Sequence, residues 1–269
     1  MKISGFDHGA RGIGIRDIQL ILPSVVCSTH VSKKIADAVG GKSFAHNTGC
    51  GIIGSDVPGI GDFFGELANH PNVSSVVVVG LGCETIQGNE LADQLLSKNP
   101  STKYLVIQES GGMGATLQKG SVAAKELSAK YPQTRAELNT LVVGIESSED
   151  GAKARDLSVK LNGLGMKTVL AVGDKTGVNF TELMQAGVHL IISLVAKDQP
   201  PTGYPLIPVI NIAADSPLHL AIETDFDLAA KYLPEELTSL INSVAQGAQT
   251  KAEALSLGEI FAPRVVRSA

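Results

Sequence analysis

Tryptophan is absent from this chain of 269 residues, aromatic residues make up only 4%, and there are three cysteines. So few aromatics argue against a stacking platform for single-stranded nucleic acid and against the aromatic belts of membrane interfaces. Three cysteines, an odd and sparse set, make a poor disulfide framework and point to a reducing compartment. No apolar run approaches the ~18 residues needed to cross a bilayer. The opening Met1-Lys2-Ile3-Ser4-Gly5 lacks the apolar core of a signal peptide, so the sequence reads as a cytoplasmic protein with no membrane partner. Strong charge is lacking too: 22 Lys+Arg against 27 Asp+Glu leave −5, too mild for a nucleic-acid binder.

What is present is a 43% hydrophobic fraction with 18% charged residues, enough to bury a real core. Short runs of Val, Ile and Leu alternate with longer amphipathic stretches, the pattern of buried parallel strands and crossover helices. Strands are expected over 18–26, 43–46, 76–80, 104–108, 140–145, 168–172, 190–194 and 207–212. Helices are expected over 31–39, 60–68, 89–97, 115–130, 151–161, 180–184 and 234–255. The fold class is therefore α/β, with mostly parallel, doubly wound, Rossmann-like sheets in two halves. The polar stretch 132–139 marks the boundary: 1–135 forms a half that carries the Cys and His motifs, and 136–269 a half that ends in a long helix.

The cysteines fall at strand ends. Cys27 follows the run ending at Val26, Cys50 sits four residues after His46, and Cys83 follows the run ending at Gly80. In an open parallel sheet the carboxyl ends of the strands face one crevice, where such folds bind ligands. One reading is that the three are small buried hydrophobes, as cysteine often is. The other is an iron, iron–sulfur or other divalent-metal site built from Cys27, Cys50 and Cys83 with His46 or Glu84 nearby, since thiolates and imidazole suit iron and zinc. Three protein ligands would leave a position for substrate or water.

Gly111-Gly112-Met113-Gly114 leaves the strand ending near Gln108 and enters a helix. Its backbone amides and the positive helix end suit a carboxylate or phosphate, the alternative being a tight turn with no ligand. Glu109 adjoins this cluster as a base, a supporting partner or an exposed loop carboxylate. His46 lies in a polar, Gly-rich strand end. His70, in Asn69-His70-Pro71-Asn72, sits at a helix-to-strand corner where capping competes with a site role. The other Gly pairs, Gly12/Gly14 and Gly80/Gly82, fail the strand-then-helix context or lack the third glycine of a dinucleotide loop.

Pro23-Ser24-Val25-Val26-Cys27-Ser28, His46-Asn47-Thr48-Gly49-Cys50-Gly51, His70-Pro71-Asn72-Val73 and Val79-Gly80-Leu81-Gly82-Cys83-Glu84 occur in the order seen in the altronate and galactarate dehydratase family, which the chain resembles. Gln108-Glu109-Ser110-Gly111-Gly112 continues the resemblance, as do Pro205-Leu206-Ile207-Pro208-Val209-Ile210 and the segment Ala245–Glu253. The resemblance implies an iron-dependent hydro-lyase that dehydrates a sugar acid, an aldonate or aldarate, to a 2-keto-3-deoxy acid. Catalysis would fall to His46, Glu84 and Glu109, metal binding to Cys27, His46, Cys50 and Cys83, and substrate binding to Gly111, Gly112, Gly114 and His70. The partners implied are a small carboxylate substrate and either a second copy or a second dehydratase subunit. The sequence departs from the family in its opening motif, in Glu146-Ser147-Ser148-Glu149-Asp150 where a Cys-Gly-Gly-Ser-Asp segment is expected, and in lacking most of the long region that follows. A non-catalytic relative that binds a sugar acid or serves as a partner subunit is the alternative.

Overall fold

The computed structural model describes residues 2–45, 49–52, 54, 56–149, 151–260 and 262. The chain forms two compact units. The N-terminal unit takes Phe6–Gly12, Asp17–Thr134 and Ile260–Ala269; the C-terminal unit takes Met1–Gly5, Ile13–Arg16 and Arg135–Glu259.

Two short strands, β1 (Ile3–Asp7) and β2 (Ile13–Gly14), come first. The N-terminal unit then runs through β3 (Ile18–Pro23), α1 (Thr29–Val39), α2 (Asp56–Ala68), β4 (Val73–Gly80), α3 (Gly88–Leu96), β5 (Thr102–Val106), α4 (Ile107–Ser110) and α5 (Met113–Lys130). Its strands form a parallel sheet in the order β3-β4-β5. The central strand, with four consecutive valines, is buried on both faces, which is why it reads as a continuous apolar run without alternation. Ile21, Val77 and Val79 pack against Val31, Ile35 and Ala36 of α1 and Ala124 and Leu127 of α5. Leu20, Leu22, Val76 and Val78 alternate to the opposite face, which α2 and α3 cover with Phe63, Phe64, Leu91 and Leu95. Each such burial contributes roughly 1.5–3 kcal/mol.

The strand expected over 43–46 does not form over 43–45. Lys42 makes an isolated bridge with Leu20, donating to the Gln19 carbonyl and accepting from Ile21, and the chain then leaves the sheet edge. His46 lies outside the described residues.

The C-terminal unit contains β6 (Arg135–Leu138), β7 (Val142–Ser147), α6 (Gly151–Gly163), β8 (Lys167–Val172), α7 (Thr176–Gln185), β9 (Leu190–Leu194), β10 (Val209–Ile212), α8 (Pro217–Ala221), α9 (Pro234–Ala245) and α10 (Lys251–Ala254). Its main sheet is wholly parallel in the order β10-β9-β7-β8, with Val143, Ile145, Ile192 and Ile210 packed against Leu157, Leu161, Leu237 and Ile241. A smaller sheet, β2-β1-β6, draws its third strand from the stretch that reads as polar loop.

The helix expected over 234–255 is two helices. Gly247, at φ +108, turns the chain, and Thr250 restarts it with a capping box to Glu253. Arg16 ties this break together through a forked pair with Glu253 at 2.8 Å and bonds to the Val244 and Ala248 carbonyls. Among the described residues no helix is long and apolar enough to cross a membrane.

Candidate functional site

Because β3, β4 and β5 run the same way, their carboxyl ends share one edge: Pro23 pairs with Val79, and Gly80 with Val106. The loops after β3 and β4 that leave this edge carry Cys27 and Cys83, and Cys50 comes in the segment between α1 and α2. Cys27 sits in the 3₁₀ turn Val26–Ser28 between β3 and α1, Cys50 in the turn before α2, and Cys83 three residues past β4; all three are exposed and none is in a disulfide. The Cys50 thiol is pushed up from its ordinary value. Desolvation comes first among the causes even at this exposed position, followed by the negative charge available at Cys27 and Cys83, a hydrogen bond with Cys83, and the charge of Glu84. The three sulfurs and Glu84 therefore form one electrostatic neighbourhood.

Glu84 is 1% exposed and accepts from three donors. One carboxylate oxygen accepts from the Ser24 hydroxyl at 3.0 Å, and the other accepts from the backbone amides of Gly82 at 2.6 Å and Cys83 at 3.0 Å. A glycine is needed at position 82, where φ is +118, and at position 80, where a Cβ would collide with the Glu84 carboxylate. The acid thus fixes the loop that presents Cys83.

Tyr104 of β5 is a residue the sequence reading missed. Its hydroxyl is pushed up to about 12, first by burial, then by the charges of Glu84 and Glu109. Gly80 and Gly88 supply the space: a Cβ at Gly88 would meet the Tyr104 ring at 2.5 Å, and one at Gly80 its hydroxyl at 3.2 Å. The available signal was a pair of glycines flanking a strand end opposite one of only four tyrosines.

Glu109 is exposed on α4 and near enough to act on Tyr104, so the structure brings it toward the same strand-end group. The Gly cluster follows a short helix where a direct strand-to-helix turn is expected. Gly111 at φ +94 ends α4, and Gly112 at φ +92 precedes α5, whose first turn includes exposed Gly114. The leading amides of α5 are the orphan donors of a helix start.

His70 is not brought to this edge. It is 2% exposed, accepts at Nδ1 from the Asn72 amide, and accepts at its carbonyl from Val73, which begins β4. The eight residues of β4 set it roughly 25 Å from the thiol loops, where it shapes the corner before the strand.

The donor types suit iron or zinc, but among the described residues no three His, Cys, Asp or Glu side chains stand as a ready ligand set.

A family model described as D-galactarate dehydratase/Altronate hydrolase, second domain, matches residues 5–131. The altronate dehydratase of Escherichia coli (strain K12) is 28% identical over 106 residues, which take in 35% of this chain and 21% of that protein. The matched part of this chain thus spans about a fifth of the length of that curated relative. Residues 5–131 are thus similar to the second domain of the altronate/galactarate dehydratase family.

Proposed function

We propose that the N-terminal unit supplies a hydro-lyase site for a sugar acid, an aldonate or aldarate, which it dehydrates to a 2-keto-3-deoxy acid. What supports this reading is the electrostatic influence of Cys27, Cys83 and Glu84 on Cys50, all four lying within the segment that the family model matches.

In the reaction a base takes the proton beside the substrate carboxylate, the electron pair forms an enediolate, and the C3 hydroxyl departs as water with a proton from an acid. The enol left behind tautomerises to the keto acid. Glu109, exposed and beside the strand edge, is the candidate for the proton transfers. Tyr104, held protonated across the neutral range, can donate a hydrogen bond to the departing hydroxyl or to an enediolate oxygen. The amides opening α5, behind Gly111, Gly112 and Gly114, suit the substrate carboxylate. Glu84, already holding three donors, serves as a positioning residue for Cys83.

Iron would be held by the thiolates of Cys27, Cys50 and Cys83, with His46 as the further ligand the family motif offers. When bound it would act as a Lewis acid on the substrate's oxygens.

The test is anaerobic purification with metal analysis, followed by an assay of aldonates and aldarates for 2-keto acid formation. Bound iron with turnover is expected. A metal-free, inactive protein whose Cys→Ser variants change only stability would overturn the reading; if such a protein still bound sugar acids, the non-catalytic relative would be favoured.

A further inference from the structure

The family match stops at residue 131, before the C-terminal unit's main sheet, yet that sheet has the topology in which doubly wound folds bind ligands. β7 is its switch strand: the chain leaves it through α6 to β8 on one side and returns through α7 to β9 on the other. Ser147, Leu194 and Ile212, the last residues of β7, β9 and β10, stand in one pairing row. All three line a cavity of about 320 Å³ at the carboxyl ends of the strands.

The lining decides the ligand's chemistry. Lys153, Lys197 and Lys231 line it together with Glu149 and Asp215, so among the described lining residues positive groups outnumber negative ones although the whole chain carries −5. Among the described residues no aromatic side chain lines the cavity, so they offer no platform for a base or nicotinamide ring. The sequence from the end of β7 to the start of α6 reads Ser147-Ser148-Glu149-Asp150-Gly151, with acidic residues where a dinucleotide loop needs glycine. The volume suits a molecule of a few carbons whose apolar side rests on Leu194, Ile212 and Ala213.

We propose that the C-terminal unit binds a small, aliphatic, hydroxylated anion at the carboxyl ends of β7, β9 and β10. Its oxyanion is held by Lys153, Lys197 and Lys231, and its hydroxyls donate to Glu149 and Asp215. The oxyanion is either the carboxylate of a hydroxy acid or the phosphate of a small ester, and the experiment separates the two. None of the thiols takes part, so the proposal stands independently of the dehydratase reading.

The test is a titration of the ¹⁵N-labelled full chain, followed by amide chemical shifts, with D-gluconate, glycerol 3-phosphate and inorganic phosphate. One of the two hydroxylated anions is expected to move the Ser147, Val195, Lys197, Ala213 and Lys231 signals and to saturate, and the tighter of the two identifies the source. Lys197→Ala with Lys231→Ala is expected to weaken binding by about tenfold or more, while Lys197→Arg retains it. The same shifts are expected in the Cys27→Ser/Cys50→Ser/Cys83→Ser chain, so failure of the dehydratase reading leaves this test standing. Shifts confined to other residues, no saturation, lysine variants that bind as well as the parent, or inorganic phosphate binding as tightly as either hydroxylated anion would each overturn the proposal.

Discussion

The hydroxyl of Ser24 donates to the carboxylate of Glu84 at 3.0 Å, joining the loop after β3 to the loop after β4. The other carboxylate oxygen gathers the amides of Gly82 and Cys83, so one buried acid sets the shape of the loop that carries a candidate ligand. Replacing Glu84 by Ala leaves these donors without their acceptor. Thermal or urea unfolding should show a loss of about 1–3 kcal/mol, and Cys83 should be alkylated faster because its loop is no longer pinned. Unchanged stability and alkylation would assign the Glu84 bonds no structural role.

Two glycines near this edge should fail for different reasons. Gly80→Ala puts a methyl into the Glu84 carboxylate and within 3.2 Å of the Tyr104 hydroxyl, an overpacking cost of about 1–3 kcal/mol. Gly112 has open space around it but adopts φ +92 with ψ −178, a region used almost solely by glycine, so Gly112→Ala costs about 1–3 kcal/mol through backbone strain. Gly114, open and on ordinary helical backbone, is the control: Gly114→Ala should be neutral or stabilise by up to about 1 kcal/mol. Urea unfolding of the three variants checks the order.

Glu146 of β7 gives a pH signature. Burial pushes its carboxyl above the ordinary value of 4.5, and hydrogen bonds from Ser193, Asn179 and Thr176 only partly oppose this. A folded value above the unfolded one means the folded state holds the proton more tightly. The resulting stability is full below the unfolded value and is lost as pH rises through the folded one. Glu146→Gln should therefore gain on the parent as pH rises through that window and hold a constant difference above it, as read by urea unfolding at a series of pH values. A difference independent of pH would contradict the shift.

Arg16 makes a forked pair with Glu253 and also donates to two carbonyls at the break between α9 and α10. A lysine cannot reproduce four directed bonds from one planar group. Arg16→Lys should cost about 1.5–3 kcal/mol in the same unfolding assay.

The apolar runs made most of the sheet framework legible. Val76–Gly80 and Leu190–Leu194 read as strands because they are buried on both faces and need no alternation. Arg135–Leu138 did not: it is four residues long, only Leu138 is buried, and its partner β1 is distant in sequence. The break in the expected 234–255 helix was written in Gly247 and in the Thr250–Glu253 capping spacing, but apolar periodicity outweighed those signals. At the site, the strand-end positions of Cys27 and Cys83 were legible because each follows an apolar run, whereas the strand expected before Cys50 does not form over 43–45. Tyr104 was not, since its place beside Glu84 depends on pairing between β4 and β5 and on the space left by Gly80 and Gly88. His70 precedes its strand where Cys27 and Cys83 follow theirs, so strand direction alone separates it from them.

The most direct measurement is the rate of alkylation of each cysteine, read by mass spectrometry under anaerobic conditions with and without ferrous iron. The account predicts that Cys27, Cys50 and Cys83 are protected together at one iron per chain, and that replacing any one by Ser lifts protection from the other two. Three thiols alkylated at the same rates with and without iron would contradict it.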